Sequence, residues 1–183
     1  MKILQDILEA RNGGAVKQLA SQFGLGDAEA GAAIAKLLPA LTEGLKKNAA
    51  APGGAEALLS ALQNGSHRRY VEDPARLASE ETVRDGEGIL GHLLGSKDVS
   101  RRVAADAAQE TGIDVGKLKQ MLPLVAAMAM GSLSREGADG GALGQEQGGG
   151  RGGLGGLLSG MLDGDRDGSV TDDIFGMAKK FLR

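Results

Sequence analysis

Cysteine is absent from this 183-residue sequence, and aromatic side chains make up only 2% of it. Without cysteine there is no disulfide framework and no thiolate metal site, which is typical of intracellular proteins. The scarcity of aromatic rings disfavours the stacking platforms that bind single-stranded nucleic acids. The formal net charge of -3 gives no long-range attraction to a phosphate backbone. Composition therefore argues against a nucleic-acid partner.

Long apolar runs are also lacking. The most apolar segment, residues 121–133, is too short to cross a bilayer and is interrupted by Pro123. The N-terminal residues carry Asp6 and Glu9 where the apolar core of a signal peptide would lie. We therefore expect a cytoplasmic protein without membrane insertion. Because a helix that is apolar on all sides must be buried, residues 121–133 are predicted to form the core of the domain.

Apolar residues recur at helical spacing in the first part of the chain, and glycines punctuate them. This pattern predicts helices at about 3–8, 16–23 and 28–46. Asp27 is predicted to cap the third helix, and Pro39 is predicted to kink or divide it, because proline lacks a backbone donor.

The middle of the chain is also predicted to be helical. A fourth helix places Leu58, Leu59 and Leu62 on one face and ends at Asn64 and Gly65. Asp73 and Pro74 suit the cap and first turn of a helix that continues through residues 75–83. Residues 86–95 follow as a separate helix of about two turns, whose glycines would allow close helix contact. Residues 88–133 are predicted to form three consecutive helices in all.

The two halves of the predicted domain resemble each other. LASQFGLG followed by AKLLPALTEGL is similar to DAAQETGI followed by KQMLPLVAAMAMGSL, so Gly24 corresponds to Gly112 and Pro39 to Pro123. We interpret this as an approximately duplicated helical hairpin, whose two copies share one core. The predicted fold class is therefore an all-α helical bundle.

The segments GILGHLLGSKDVS and KQMLPL, with LLSALQNGSH before them, resemble the YidB-like family of bacterial proteins, a domain of unknown function. The resemblance covers most of residues 1–136. It implies an all-helical fold without an established activity, and family members are similar in ending with a Gly-rich linker and an Asp-rich tail.

Residues 16–38 are spaced like a DNA-binding helix-turn-helix, with a short helix, a glycine turn and a longer helix. The second helix, however, begins with alanine, glycine and glutamate where a recognition helix needs Arg, Lys, Asn or Gln. An ordinary helical hairpin fits better, and nucleic-acid binding is the alternative function.

Two further positions could carry chemistry. His67, Arg68, Arg69 and Tyr70 would form either a small anion or partner site or a solvated loop with Tyr70 folded onto the core. His92 has no second ligand at metal-binding spacing, so a structural role is favoured. Because both histidines are isolated in sequence and no nucleophile has a base beside it, we expect no enzyme.

The C-terminal sequence carries the clearest ligand motif. Asp163, Asp165, Asp167 and Gly168 occupy positions one, three, five and six of a calcium-binding loop. Alternate carboxylates in a tight loop converge on one cation, and the glycine lets the carbonyl of Ser169 turn inward. Apolar residues at helical spacing flank the loop on both sides, as in an EF-hand.

Position twelve departs from that motif, because Ile174 stands where a bidentate Glu is expected. Asp172 or Asp173 would close the coordination sphere in a shortened loop. The competing interpretation is a solvated acidic linker in which Thr171 or Asp172 caps the last helix. We expect Ca²⁺ as the cofactor.

Composition divides the chain into a helical domain at 1–136, a Gly-rich flexible linker at 137–152 and an EF-hand-like helix-loop-helix at 153–183. The predicted function is non-enzymatic binding or assembly. A protein partner or self-association is expected, because Ile174, Phe175 and Phe181 of the tail need burial.

Overall fold

A computed structural model describes residues 2–139, and this part of the chain is helical without strands. Its elements are α1 (Lys2–Glu9), α2 (Gly14–Phe23), α3 (Asp27–Ala50), α4 (Gly54–Asn64), α5 (Arg69–Glu72), a 3-10 helix (Pro74–Ala78), α6 (Glu80–Leu94), α7 (Lys97–Thr111) and α8 (Val115–Asp139). The predicted all-α class is confirmed for these residues, as are the three consecutive helices α6, α7 and α8.

Helix α8 is the centre of the domain and packs against α1, α3, α4, α5, α6 and α7. Every residue from 121 to 134 is buried, so the prediction that residues 121–133 form the core is confirmed. Burial on all sides follows from the sequence of α8, which offers no polar face over these turns.

Polar contacts also tie α8 to the first helix. Ser132 Oγ donates a hydrogen bond to Asp6 Oδ2 at 2.6 Å, and Arg135 forms an ion pair with the same carboxylate. Asp6 therefore satisfies a buried hydroxyl and balances a cation, as partly buried polar groups require.

Proline does not divide either long helix. Pro39 lies inside the continuous helix α3 and Pro123 inside α8, so of the two predicted effects of Pro39, a kink or a division of the helix, the division is wrong. Pro39 is exposed and Ala35, whose carbonyl loses its backbone partner, is partly exposed, so water can satisfy that carbonyl. Pro123 is buried, with its carbonyl against Gly86 of α6.

Two helix starts differ from prediction. The N-cap of α3 is Gly26 rather than Asp27, because the Glu29 carboxylate reaches back and accepts the Gly26 N–H at 2.7 Å. The second difference follows Pro74, where a 3-10 helix forms and ends at Ala78.

After this 3-10 helix, the segments predicted as two helices, 75–83 and 86–95, contribute to the single helix α6. It begins at Glu80 because the Ser79 hydroxyl caps it, accepting the Thr82 N–H at 3.3 Å. Gly86 and Gly88 then continue the helix rather than starting a new one.

The glycines matched by the proposed duplication have the same backbone geometry. Gly24 ends α2 with a φ of +59° and Gly112 ends α7 with a φ of +73°, a left-handed conformation that favours glycine. The matched prolines differ, since Pro39 is exposed and Pro123 is buried.

Candidate functional site

A pocket with a volume of about 560 Å³ lies between α3, α4 and α6, and Met130 of α8 also lines it. This volume falls within the range of roughly 300–1,000 Å³ that is typical of ligand sites. Apolar side chains form much of the wall, including Leu45, Leu58, Ile89 and Leu93. The pocket is therefore suited to an apolar occupant.

Helix α4 forms one side of the pocket, and Leu62 is its only buried residue. Leu62 is 4% exposed, but Leu58 and Leu59, predicted to share its face, are only partly buried. Leu58 faces the pocket and packs against the edge of the core. The predicted apolar face of α4 is thus confirmed for Leu58 and Leu62, which both contact the core, whereas the partial exposure of Leu58 was not predicted.

Asn48 holds the end of α3 against α6 at one side of the pocket. Its Nδ2 donates to the carbonyl of Gly44 at 2.9 Å and to the carbonyl of His92 at 2.8 Å. Gly44 lies so close to the carbonyl of Leu93 that a Cβ there would overlap it. A residue without a side chain is therefore what lets the two helices meet here.

The polar side of the pocket contains His67, Arg69, Arg84, Asp85 and His92. These side chains come from the segment around α5 and from α6. Arg84 is exposed and pairs with Glu80 at 3.1 Å. The pocket therefore combines an apolar wall with a charged edge, as in many ligand and peptide sites.

The buried side chain of Tyr70 contacts two residues of this polar edge, Arg69 and Asp85. Its side chain is 1% exposed, and its hydroxyl donates a hydrogen bond to Asp85. Arg69 Nη2 in turn donates to the Tyr70 hydroxyl at 2.8 Å and pairs with Glu81 at 2.9 Å and Asp85 at 3.2 Å. Burial raises the pKa of the Tyr70 phenol, and the Asp85 hydrogen bond raises it further.

His67 lies beside this network without joining it. Burial lowers the pKa of its imidazole from the ordinary value of 6.5, against the opposing attraction of Asp85. Its Nδ1 atom is buried and has no hydrogen-bond partner. The ring stands 6.2 Å from the ring of Tyr70, tilted by 44°. His67 therefore favours the neutral form.

Of the predicted cluster 67–70, Tyr70 does fold onto the core, while Arg68 is exposed and pairs with Glu72 at 3.3 Å. Sequence reasoning missed that both histidines of the chain line one pocket. His67 precedes α5 and His92 belongs to α6, so only the tertiary packing of the helices brings them to one pocket. No periodicity within either segment carries that information.

Ser66 and His67 line the pocket together with Asp85, but no hydrogen bond joins the three side chains in the described residues. Asp85 instead accepts from Tyr70 and pairs with Arg69. An activated nucleophile requires a base within hydrogen-bond reach, which in turn is oriented by a third group. This arrangement of the described residues therefore does not activate Ser66 as a nucleophile.

The predicted hairpin at 16–38 is present as α2 and the first half of α3. Asp27, Ala28 and Glu29 are exposed at the start of α3, and these are acidic or small side chains rather than base-reading ones. Lys36, further along the helix, forms an ion pair with Glu110 of α7.

The predicted metal ligands, Asp163, Asp165, Asp167, Ser169, Asp172 and Asp173, lie outside the described residues. Within residues 2–139 no group of three His, Cys, Asp or Glu side chains could hold a metal ion. Helix α8 continues to Asp139 and so includes the first three residues of the predicted linker. None of the helices in this part of the chain is long and apolar enough to cross a membrane.

Comparison with known proteins identifies a family. The family model described as a bacterial protein of unknown function (DUF937) matches residues 5–136. No curated protein and no solved structure matches the chain. The narrower YidB-like resemblance of the sequence stays a prediction.

Proposed function

Because the chain belongs to the DUF937 family of bacterial proteins, whose function is unknown, we propose a function from its own geometry. The helical domain is a non-enzymatic binding domain, and its pocket between α3, α4 and α6 takes up an apolar segment of a protein chain. The observation that carries this proposal is the pocket of about 560 Å³ with its wall of leucine, isoleucine and methionine.

The partial exposure of the pocket wall supplies the driving force. Leu58, Ile89 and Leu93 are each only partly buried in the domain. Full burial of such a side chain is worth roughly 1.5–3 kcal/mol relative to full exposure, so covering the three together would stabilise a complex. An amphipathic helix presenting apolar side chains at positions i, i+3, i+4 and i+7 is a suitable occupant of such a groove.

The test is a titration of the full chain with a fluorescently labelled peptide that carries leucines at this spacing. Ala61 is an exposed residue of α4 that lines the pocket, so Ala61→Trp should fill part of the volume. We expect this variant to weaken binding at least tenfold. Ala28→Trp, at an exposed position of α3 outside the pocket, is the matched control and should leave the affinity unchanged.

The C-terminal loop is proposed as a separate ligand site. Asp163, Asp165 and Asp167, the Ser169 carbonyl, and Asp172 or Asp173 would bind one Ca²⁺. The support is the spacing of the carboxylates and the apolar segments on both sides.

Two further proposals rest on composition. They are the division of the chain into 1–136, 137–152 and 153–183 and the cytoplasmic location.

Nucleic-acid binding through residues 16–38 is the alternative function. A gel-shift titration at low salt distinguishes nucleic-acid binding from peptide binding, because retention of duplex DNA that weakens steeply with salt would support the alternative.

The proposed duplication of the hairpin draws support from the matching left-handed φ angles of Gly24 and Gly112.

A further inference from the structure

We propose that the pocket is occupied by this chain's own residues 154–162, so that the protein covers its binding site with its own tail. This inference rests on the proposed function, since it names the apolar segment that the pocket takes up. Three observations carry it: where α8 ends, how far the following residues reach, and the chemistry of the segment itself.

The last described turns of α8 lie beside the pocket wall. Met130 lines the pocket directly, and one turn later Ser134 Oγ donates a hydrogen bond to the carbonyl of Leu62 at 3.3 Å. Leu62 belongs to α4, whose Leu58 and Ala61 line the same pocket. The chain therefore leaves the domain about 14 Å along α8 from the site that it would cover.

The residues that follow α8 are sufficient in number to return to the pocket. From Met130 to Asp139 the helix advances about 14 Å, at 1.5 Å per residue. A Gly-rich chain such as residues 140–153 has a root-mean-square span of roughly 20 Å. The two lengths are comparable, so residue 154 can reach the pocket without an extended linker. At such a tether length the effective concentration is of millimolar order.

The sequence of the segment matches the pocket. Leu154, Leu157, Leu158 and Met161 stand at positions i, i+3, i+4 and i+7, the spacing with which an amphipathic helix fills an apolar groove. The other apolar segment, 174–182, begins about twenty residues further along the chain, so its longer tether gives it a lower effective concentration at the pocket.

Disulfide trapping in the full chain tests the proposal, because the sequence contains no cysteine of its own. We combine Met161→Cys with Ala61→Cys at the pocket, or with the control Ala28→Cys. Ala28 lies about 25 Å along α3 from Leu45, at 1.5 Å per residue. Under mild oxidation, the intramolecular disulfide of the pocket pair should form at least fivefold faster than that of the control pair, as seen by non-reducing electrophoresis and mass spectrometry.

Two results would overturn the proposal. Equal rates for the two pairs would mean that the tail visits the pocket only at random. A disulfide that joins two chains would mean that the occupant belongs to a second copy. A second titration distinguishes failure of this proposal from failure of the proposed function. The labelled leucine peptide is added to a full chain in which serine replaces four leucines of the tail, Leu154, Leu157, Leu158 and Leu162. If the peptide binds, only the occupant was misidentified; if it does not, the proposed function fails as well.

Discussion

Gly86 of α6 lies directly against the backbone carbonyl of Pro123 in α8, so closely that a Cβ on Gly86 would overlap that carbonyl. The two helices are the most extensively packed neighbours in the described domain. Gly86 has no side chain, and Pro123 is a buried residue in the interior of α8. Close approach at this point positions the rest of α6, including the side of the pocket formed by Ile89 and Leu93.

Replacement of Gly86 by alanine should destabilise the domain by about 1–3 kcal/mol, because the added methyl group must push two backbones apart. Gly91→Ala is the matched control, since the same helix has open space there. The control should stabilise the domain by about 0.4–1 kcal/mol through the lower entropy of the unfolded chain. Urea unfolding followed by circular dichroism measures both, and equal effects would refute the contact.

Leu124 is fully buried in α8, at 0% exposure. Leu124→Asp should unfold the domain, because an unpaired charge in the core costs several kcal/mol, which is comparable with the whole stability of a domain. Gln120→Asp, at an exposed position one turn earlier, should remain folded. A soluble, helical Leu124→Asp protein would contradict the assignment of α8 as the core.

The stability of the domain should depend on pH through His67. Burial lowers the pKa of this imidazole from 6.5. Below pH 6.5 the unfolded chain therefore binds a proton at His67 that the folded chain does not. As the pH falls from 6.5 to the lowered pKa of the folded state, the free energy of unfolding decreases. Arg69 and Asp85 act on the same ring in opposite directions. His67→Gln should reduce this dependence, and chemical denaturation between pH 5 and 7.5 would show whether it does.

Ca²⁺ should bind the C-terminal loop of the wild-type chain with measurable heat. Asp165→Ala combined with Asp167→Ala should abolish the calorimetric signal, because it removes two of the proposed ligands. Asp139→Ala combined with Glu146→Ala removes the same charge elsewhere and should preserve it. The melting temperature of the helical domain should be nearly equal in all three proteins. No heat from the wild type at millimolar Ca²⁺ would return the loop to an acidic helix cap.

Much of the helical pattern followed from local chemistry. Leu58 and Leu62 both contact the core from α4, as their spacing predicts, and the burial of residues 121–133 follows from their apolar side chains. Helix boundaries were less predictable where capping groups compete. Ser79 rather than Asp73 caps α6, because proline after Asp73 favours a tighter 3-10 turn and the serine hydroxyl then accepts the Thr82 N–H in the first turn of the new helix.

The pocket was not predictable, because it depends on how well one helix covers another. Sequence spacing placed Leu58 on an apolar face but could not show that α4 leaves it partly exposed. His67 and His92 appeared isolated for the same reason, since tertiary packing alone brings both to one pocket. Gly86 was expected to permit close helix contact, and it does, whereas Gly88 and Gly91 face open space.

The most direct test of the binding proposal is methyl NMR of the full chain with the four tail leucines replaced by serine. A peptide of sequence GLGGLLSGMLD, corresponding to residues 153–163, is titrated into it. Resonances of Leu58, Ile89 and Leu93 at the pocket should shift together and saturate. The methyl groups of the buried residues Ile3 and Leu37, which do not line the pocket, should remain in place. No saturable shift at the pocket, or shifts confined to other surfaces, would contradict the account.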